Sequence, residues 1–371
     1  RPGELFRSGL LSLRGKLRLV AEAFVPRRPS GGDETVHEFA CRRIGREAAE
    51  VLVDAMVTGI HAGDATLLST SAAFPRMVEL EQQFGSLLRA MPKVRRQRLA
   101  DAAANPGHAP LTTHHSPSSP GGTLWSLRGG MGQLIERVAE CCGAEIIRGV
   151  TVQRIAPHPG GGWTVHAQEA NQWQADAVAL ACPSFAQAAI TESLDAEMSR
   201  HLAAICYTQV AVVALGFRRA DISHPLAGFG YLSPQRTRRD VLGVLWSSSI
   251  FDHRAPDGMV LLQAMCGGWN RPDILSWDDE RLRRAVFDEL RHTMGITATP
   301  VLVRIFRWPQ AIPQYYVGHL QRVAAIDACR QRYPGLLLTG NSFRGVSVND
   351  CTEEATRCAN QVVQSLSTSR S

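Results

Sequence analysis

No stretch of this 371-residue chain reaches the roughly 18 consecutive apolar residues that a membrane-crossing helix needs. The nearest run, Leu202 to Phe217, is interrupted by Tyr207, Thr208 and Gln209 and reads as a buried strand. None of the nine cysteines forms a CxxC pair, and an odd number cannot all pair within one chain. A disulfide framework and a metal site are therefore not expected, and reduced thiols buried in apolar stretches, such as Cys182 and Cys266, are. No GxGxxG follows a strand, and neither a Walker loop nor Ser–His–Asp spacing stands out. Basic clusters are not interleaved with aromatics, which excludes the common nucleic-acid signatures. No signal-peptide pattern opens the chain, so the expected location is cytoplasmic, with membrane contact at most from the surface.

What is present is ordinary for a globular protein. Hydrophobic residues make up 44% and charged residues 20%, which argues against wholesale disorder. The length exceeds what one core usually supports, so two or more domains are expected. The formal net charge of +6 is carried mostly by arginine and suits an anionic surface, a nucleic acid or an acidic small molecule without choosing among them.

Residues 1–105 read as helical. Val36, Phe39, Ile44, Ala48, Val51, Leu52, Ala55, Met56 and Ile60 recur at three- and four-residue spacing, as on core-facing helices. Residues 105–122, rich in Pro, Gly, Ser and Thr, read as a linker in which His114 and His115 are solvated. Beyond it helix and strand alternate. Strands are expected at Leu124–Leu127, near Glu145–Ile147, and at 150–155, Trp163–Ala167, 177–181, 210–217, 241–246, 259–265, 301–306 and Leu336–Leu338. Helices are expected at 133–142, 278–294 and 352–366. Such runs point to mixed α/β and α+β domains.

Two glycine-rich corners could hold a ligand. Ser126-Leu127-Arg128-Gly129-Gly130-Met131-Gly132 stands between an expected strand and a helix, where a structural turn and a phosphate contact explain it equally well. At the tail, Leu336–Leu338 runs into Thr339-Gly340-Asn341-Ser342-Phe343-Arg344-Gly345-Val346-Ser347-Val348-Asn349-Asp350, with Asn349 or Asp350 placed to cap the helix that follows. Backbone donors and the positive end of a helix dipole would meet there and suit an anionic or electron-rich cofactor. An ordinary strand–turn–helix corner would read the same way.

The stretch Asp33-Glu-Thr-Val-His-Glu-Phe-Ala-Cys-Arg-Arg-Ile-Gly45 resembles the oxygen-dependent protoporphyrinogen and coproporphyrinogen oxidase family. The likeness continues through Gly59–Asp64, Ala73-Phe-Pro75, Glu79–Gly85, Ser126–Gly132, Phe229-Gly-Tyr-Leu232 and Leu242–Ser248. It extends over Ile312-Pro-Gln-Tyr315, Gly318-His319, Gly340-Asn341 and Arg344–Cys351, in the family's order and spacing. The resemblance implies a Rossmann-like FAD domain carrying an inserted sheet-based substrate domain and a helical domain. Residues 1–107 would be helical and membrane-facing, 108–122 the linker, 123–185 and 320–371 the FAD domain, and 186–319 the substrate domain.

By the same resemblance, Val152, Asn341, Val346, Ser347 and Val348 would meet FAD, while Phe229, Gly230, Leu232 and Met265 would flank a tetrapyrrole. Rings and branched apolar side chains clamp a flat macrocycle well. No side chain takes a catalytic role, because the flavin carries the chemistry. The implied reaction is the six-electron oxidation of protoporphyrinogen IX or coproporphyrinogen III in haem biosynthesis, with molecular oxygen as acceptor. No metal or nucleic-acid partner is implied, while a homodimer and a peripheral membrane contact are compatible with it. The family's GxGxxG unit would precede residue 1, and the opening Arg1-Pro2-Gly3 suggests a chain cut from a longer one. Another flavin oxidase of the same superfamily, or a non-catalytic porphyrin-binding remnant, are the alternatives. Residues 1–28 mix Leu5, Phe6, Leu10, Leu11, Leu13, Leu17, Leu19 and Phe24 with Arg7, Arg14, Lys16, Arg18, Arg27 and Arg28. That mixture fits either a channel mouth at a lipid surface or a packed helix with a basic outer face.

Overall fold

The computed structural model describes residues 6–29, 31–104 and 124–369. Two compact units emerge, one drawn from residues 1–66, 76–143 and 208–311, the other from 67–75, 144–207 and 312–371. The linker read at 105–122 lies outside the described residues.

The first unit opens with helices, as the apolar spacing predicts: α1 (Leu13–Val20), α2 (Val36–Ile44), α3 (Asp54–His61), α4 (Pro75–Phe84), α5 (Leu87–Ala104) and α6 (Gly132–Cys141). Thr35 and Glu38 start α2 with a reciprocal capping box, which satisfies two donors a bare helix end would leave unpaired. Val36, Phe39, Ala48 and Val51 are buried as expected, but Met56 and Ile60 are exposed, and Val57, Thr58 and His61 turn inward in their place. The cause is a π-helical turn at Ala49–Val53, whose wider i→i+5 spacing rotates every later residue around the helix axis.

Arginine and glutamate, not apolar residues alone, fill the middle of this helical segment. Arg43 and Glu22 have no exposed surface and pair through Nη2 and Oε1. Arg43 also donates to the carbonyls of Val25 (3.1 Å) and Gly85 (3.1 Å). Glu22 accepts from the Ser86 hydroxyl at 2.6 Å and from the Leu87 and Leu88 amides at 2.9 and 3.0 Å. Its carboxylate thereby caps the start of α5, where the helix dipole favours negative charge. Glu81, nearly buried, takes Arg42 at 2.6 Å and Arg43 at 3.4 Å. Burial pushes the Glu22 carboxyl upward, but Ser86, the two amides and Arg43 together hold it below the usual carboxylate range.

Next along the chain come β1 (Val152–Pro157), β2 (Trp163–Ala167) and β3 (Gln172–Ala175), an antiparallel three-stranded sheet of the second unit. β4 (Val178–Leu180), α7 (Ser184–Thr191) and α8 (Ala196–Ala203) follow. The first unit resumes with β5 (Tyr207–Arg218), β6 (Gly230–Leu232), β7 (Val241–Leu245), β8 (Met259–Gly267), α9 (Asp279–Met294) and β9 (Leu302–Pro313). Its sheet has the order β6-β7-β8-β5-β9. The second unit closes with α10 (His319–Arg330), β10 (Leu336–Leu338) and α11 (Val348–Ser369), and β10 lies parallel to β4.

One face of the five-stranded sheet is packed shut. Val213, Leu215, Val244, Leu262 and Ala264 have no exposed surface and share a cluster with Leu282, Val286, Leu290 and Met294, one stripe of α9. Asp278 caps that helix through the Arg281 amide, and Gly295 ends it at φ +66°.

Some expectations need correcting. Leu124–Leu127 and Glu145–Ile147 form no strand; Leu124, Trp125, Ile146 and Ile147 are about half exposed, and a strand needs a ladder partner that these segments lack among the described residues. The cysteines are all free, but Cys141, Cys142 and Cys206 are exposed, and only Cys266 and Cys329 are buried. The apolar run from Leu202 divides between the end of α8 and β5.

Removing Arg43 alone strands Glu22 as a buried charge. Arg43→Leu should therefore destabilise the protein by about 3–5 kcal/mol, read as a lowered urea midpoint. Because the folded pKa of Glu22 is depressed, the pair's contribution is complete above the ordinary carboxylate pKa of about 4.3 and is lost as pH falls through the folded value. The gap between wild type and Glu22→Gln should accordingly shrink between pH 6 and about pH 3. A gap that stays constant would show that Glu22 carries no pH-linked stability.

Candidate functional site

In the second unit, the tail corner is built on the two parallel strands. The Gln187 side-chain amide donates to the carbonyls of Leu180 (3.1 Å), Cys182 (2.7 Å) and Thr339 (3.0 Å), tying the ends of β4 and β10 together. The chain leaves β10 through Gly340 at φ +118° and reaches α11 through Gly345 at φ +66°, conformations that favour glycine. Ser342 is buried, with its hydroxyl 2.6 Å from the Tyr207 hydroxyl and accepting the Ser184 amide at 3.2 Å. The Tyr315 hydroxyl donates to the Asn341 carbonyl, and His319 Nε2 lies 3.0 Å from the Phe343 carbonyl. The two rings stack at 4.3 Å. Burial pushes the Tyr315 phenol well above its ordinary pKa, so it remains a donor.

The helix start differs from the expected cap at Asn349 or Asp350. Ser347 is the cap: its hydroxyl accepts the Asp350 amide at 3.1 Å, and the Asp350 carboxylate takes the Ser347 amide at 3.0 Å and hydroxyl at 2.6 Å. A hydroxyl one turn earlier can reach the free amides, whereas Asp350 sits inside the first turn.

Of the residues expected to meet the cofactor, Asn341, Val346, Ser347 and Val348 lie together on this corner, with Val348 half exposed. Val152, the first residue of β1, packs against the cluster that holds Leu336 and Phe343. The unit thus brings Val152 and the tail corner onto one core. Tyr207, Gln187, Tyr315 and His319, which hold the corner in place, were not singled out from sequence. Tyr315 and His319 do fall within the quoted likeness at Ile312–Tyr315 and Gly318-His319.

In the first unit, strand alternation sorts the residues expected to meet the substrate. Tyr231 points to the α9 face, its hydroxyl 3.2 Å from Glu289. Leu232 therefore points to the other face. Across the sheet Leu232 pairs with Gly243, Gly243 with Met265, and Met265 with Val212, so Leu232 and Met265 stand in one row with a glycine between them. A Cβ at Gly243 would come 2.8 Å from Leu232 Cδ2, and one at Gly59 of α3 would come 2.7 Å from Leu232 Cδ1. The Leu232 side chain leans into space that two glycines keep open. Gly230, at φ +137°, lies against the Val244 carbonyl where no Cβ fits. Phe229 stands just before β6, half-buried, its carbonyl accepting the Trp246 amide at 2.9 Å. The unit brings Gly230, Leu232 and Met265 to one face and holds Phe229 at its edge.

The corner and the sheet face offer backbone edges, aromatic surface and branched apolar side chains. A titratable group is missing from both sets of expected contacts. Among the described residues His61 is buried in α3 and pushed down to about 4 by that burial, so it is neutral near pH 7.

Residues 2–363 match the family model described as flavin containing amine oxidoreductase. The chain is 30% identical over 349 residues to coproporphyrinogen III oxidase of Bacillus subtilis (strain 168), covering 94% of this chain and 71% of that one. It is 31% identical over 376 residues to chloroplastic protoporphyrinogen oxidase of Oryza sativa subsp. japonica, covering 98% and 69%. Among solved structures, a "Putative protoporphyrinogen oxidase" of Exiguobacterium sp. 255-15 superposes with a TM-score of 0.78 at 25% identity, over 99% of this chain and 75% of that one.

Tyr315→Phe keeps the ring stack but removes the donor to Asn341. The variant should lose about 0.5–1.5 kcal/mol, the net worth of one hydrogen bond, here to a part-buried carbonyl, and amide exchange over residues 340–346 should quicken. Unchanged exchange there would mean that the hydroxyl does not hold the corner.

Proposed function

Because the chain belongs to the flavin containing amine oxidoreductase family, we propose that this oxidoreductase converts a porphyrinogen to the porphyrin, with molecular oxygen as acceptor, as a step of haem biosynthesis. The observation that carries the reading is the likeness, over nearly the whole chain, to relatives named for coproporphyrinogen III and protoporphyrinogen oxidation. The family uses a flavin, and FAD is the form proposed here. When bound, it supplies the hydride acceptor for the reaction.

The tail corner fits such a group. Asp350 already occupies the Ser347 amide, so a second anion at the start of α11 would meet a carboxylate. The backbone edges of Asn341 and of Val346 to Val348 therefore suit a flat, neutral ring better than a phosphate. Val152 would meet the adenine side. On the sheet face, Phe229, Gly230, Leu232 and Met265 would lie against the tetrapyrrole. None of these groups moves a proton. Their contribution is to orient the macrocycle and exclude water, which is where positioning lowers a barrier.

The test is direct. Purified after expression from its complete coding sequence, the protein should be yellow, and either protoporphyrinogen IX or coproporphyrinogen III should give fluorescent porphyrin with uptake of oxygen. A colourless protein that forms porphyrin from neither would sink the reading. A Cβ at Gly345 would collide with the Asp350 side chain, so Gly345→Val should abolish the flavin absorbance. A fully yellow and active variant would remove the tail corner from the cofactor site.

A peripheral membrane contact is also proposed. Leu13, Leu17 and Val20 of α1 and Phe24 beyond it are exposed, Phe24 at 81%, and Arg7 and Arg14 stand among them. Leu11 instead packs inward, and Arg18 is occupied by the carbonyls of Arg42 and Arg43. No helix of the described residues is long and apolar enough to cross a membrane. Sedimentation with anionic vesicles should be released by salt, since surface charges are screened within roughly 10 Å at 0.1 M. Protein that stays with the vesicles through a high-salt and carbonate wash would contradict a peripheral contact.

A further inference from the structure

The first unit contains a cavity of about 320 Å³ beside the sheet face, at the end of α3 and the β6–β7 connection. Arg238, Arg239 and Arg271 line it together with Thr58, Gln235 and Trp269, and among the described residues no aspartate or glutamate does. Two of these arginines are spoken for. Arg239 pairs with Glu289 at 3.3 Å, and Arg271 pairs with Asp240 and, at 3.1 Å, with Asp273. Nearby Asp54 accepts the Gln235 amide at 2.6 Å. Arg238 has no carboxylate partner among the described residues. Its backbone sits at φ +49°, ψ +40°, a left-handed conformation at the end of the 235–237 turn. Thr58 is 4% exposed, and its hydroxyl has no hydrogen-bond partner among the described residues. A buried hydroxyl left unpaired is uncommon and invites a ligand.

We propose that this cavity binds an oxyanion, a carboxylate or phosphate group, held by the Arg238 guanidinium and the Thr58 hydroxyl with Arg239 and Arg271 behind them. A guanidinium presents a planar fork of donors that matches two oxygens of one such group. A hydroxyl alongside supplies a third donor. The wall has room for more than the anion alone, so the group can belong to a free small anion or to the carboxylate arm of a ligand resting on the neighbouring face. Ser233, also in the lining, directly follows Leu232, and Gly59, next to Thr58 in α3, faces that leucine. The first source is independent of the proposed function; the second rests on it.

Thermal unfolding of the protein in succinate or inorganic phosphate, against chloride at equal ionic strength, tests the site. Wild type should show a saturable rise in midpoint with either anion, as ligand binding to the folded state requires. Arg238→Gln should weaken the apparent affinity about tenfold, the loss expected of one charge-assisted contact. Thr58→Val, which keeps the side-chain shape, should weaken it as well, and Arg236→Gln, outside the lining, should not. A second arm measures coproporphyrin binding by fluorescence. Weaker binding in Arg238→Gln, with competition by succinate, assigns the site to a carboxylate arm of the tetrapyrrole. Equal coproporphyrin binding with a lost succinate response assigns it to a free anion. If wild type binds no coproporphyrin, the substrate reading fails while the succinate arm still decides. No anion-specific rise in wild type, with no effect of Arg238→Gln on coproporphyrin, would overturn the proposal.

Discussion

A β-sheet alternates its side chains, and in the first unit one face of the sheet is spent on α9. With Val213, Leu215, Val244, Leu262 and Ala264 fully buried there, the intervening residues have no freedom about where they point. Leu232, Gly243, Met265 and Val212 must share the opposite face because their neighbours form the core. A slip of one residue in β6 would exchange Leu232 for Tyr231 and cost the sheet its hydrogen bond from Tyr231 to Glu289. The candidate substrate surface is thus a by-product of core packing, placed by the same register that stabilises the unit.

The second unit solves a different problem, holding an irregular segment still. A strand of three residues, β10, provides little ladder. The loop beyond it is fixed by side chains that come from elsewhere: Gln187 from α7, Tyr207 from the start of β5, and Tyr315 and His319 from the stretch before and at the start of α10. Most of these groups bond backbone carbonyls, while of the loop's own side chains Ser342 and Phe343 are buried as further anchors. Rigid support of this kind is what a cofactor site needs if its contacts are mainly to backbone.

Much of this organisation is legible in the sequence because it follows local period. β2 at Trp163–Ala167 and β10 at Leu336–Leu338 stand where the pattern puts them, and α9 begins one residue later than read. What escapes local pattern is long-range or phase-dependent. The π-turn at Ala49–Val53 has no periodic signature, yet it decides that Val57 is buried and Ile60 is not. Leu124–Leu127 has strand composition without a partner strand among the described residues. The Ser347–Asp350 reciprocity reverses which residue is cap and which is first turn. The grip of Tyr315 on Asn341 spans 26 residues and leaves no mark in either segment alone.

Arg43 is the residue that sequence reading places least well, since an arginine in an amphipathic helix is ordinarily a surface residue. Here it lies wholly inside with Glu22, the two contributed by segments about twenty positions apart. In evolutionary terms the pair narrows the routes by which the helical segment can change. Loss of Arg43 alone leaves the Glu22 charge uncompensated in the interior, and loss of Glu22 leaves Arg43 only its longer contact to Glu81, so a lineage departs from this arrangement by way of a strained intermediate or a near-simultaneous second change. Homologues should therefore divide into those that keep both partners and those that replace both with apolar residues, and mixed cases should be scarce.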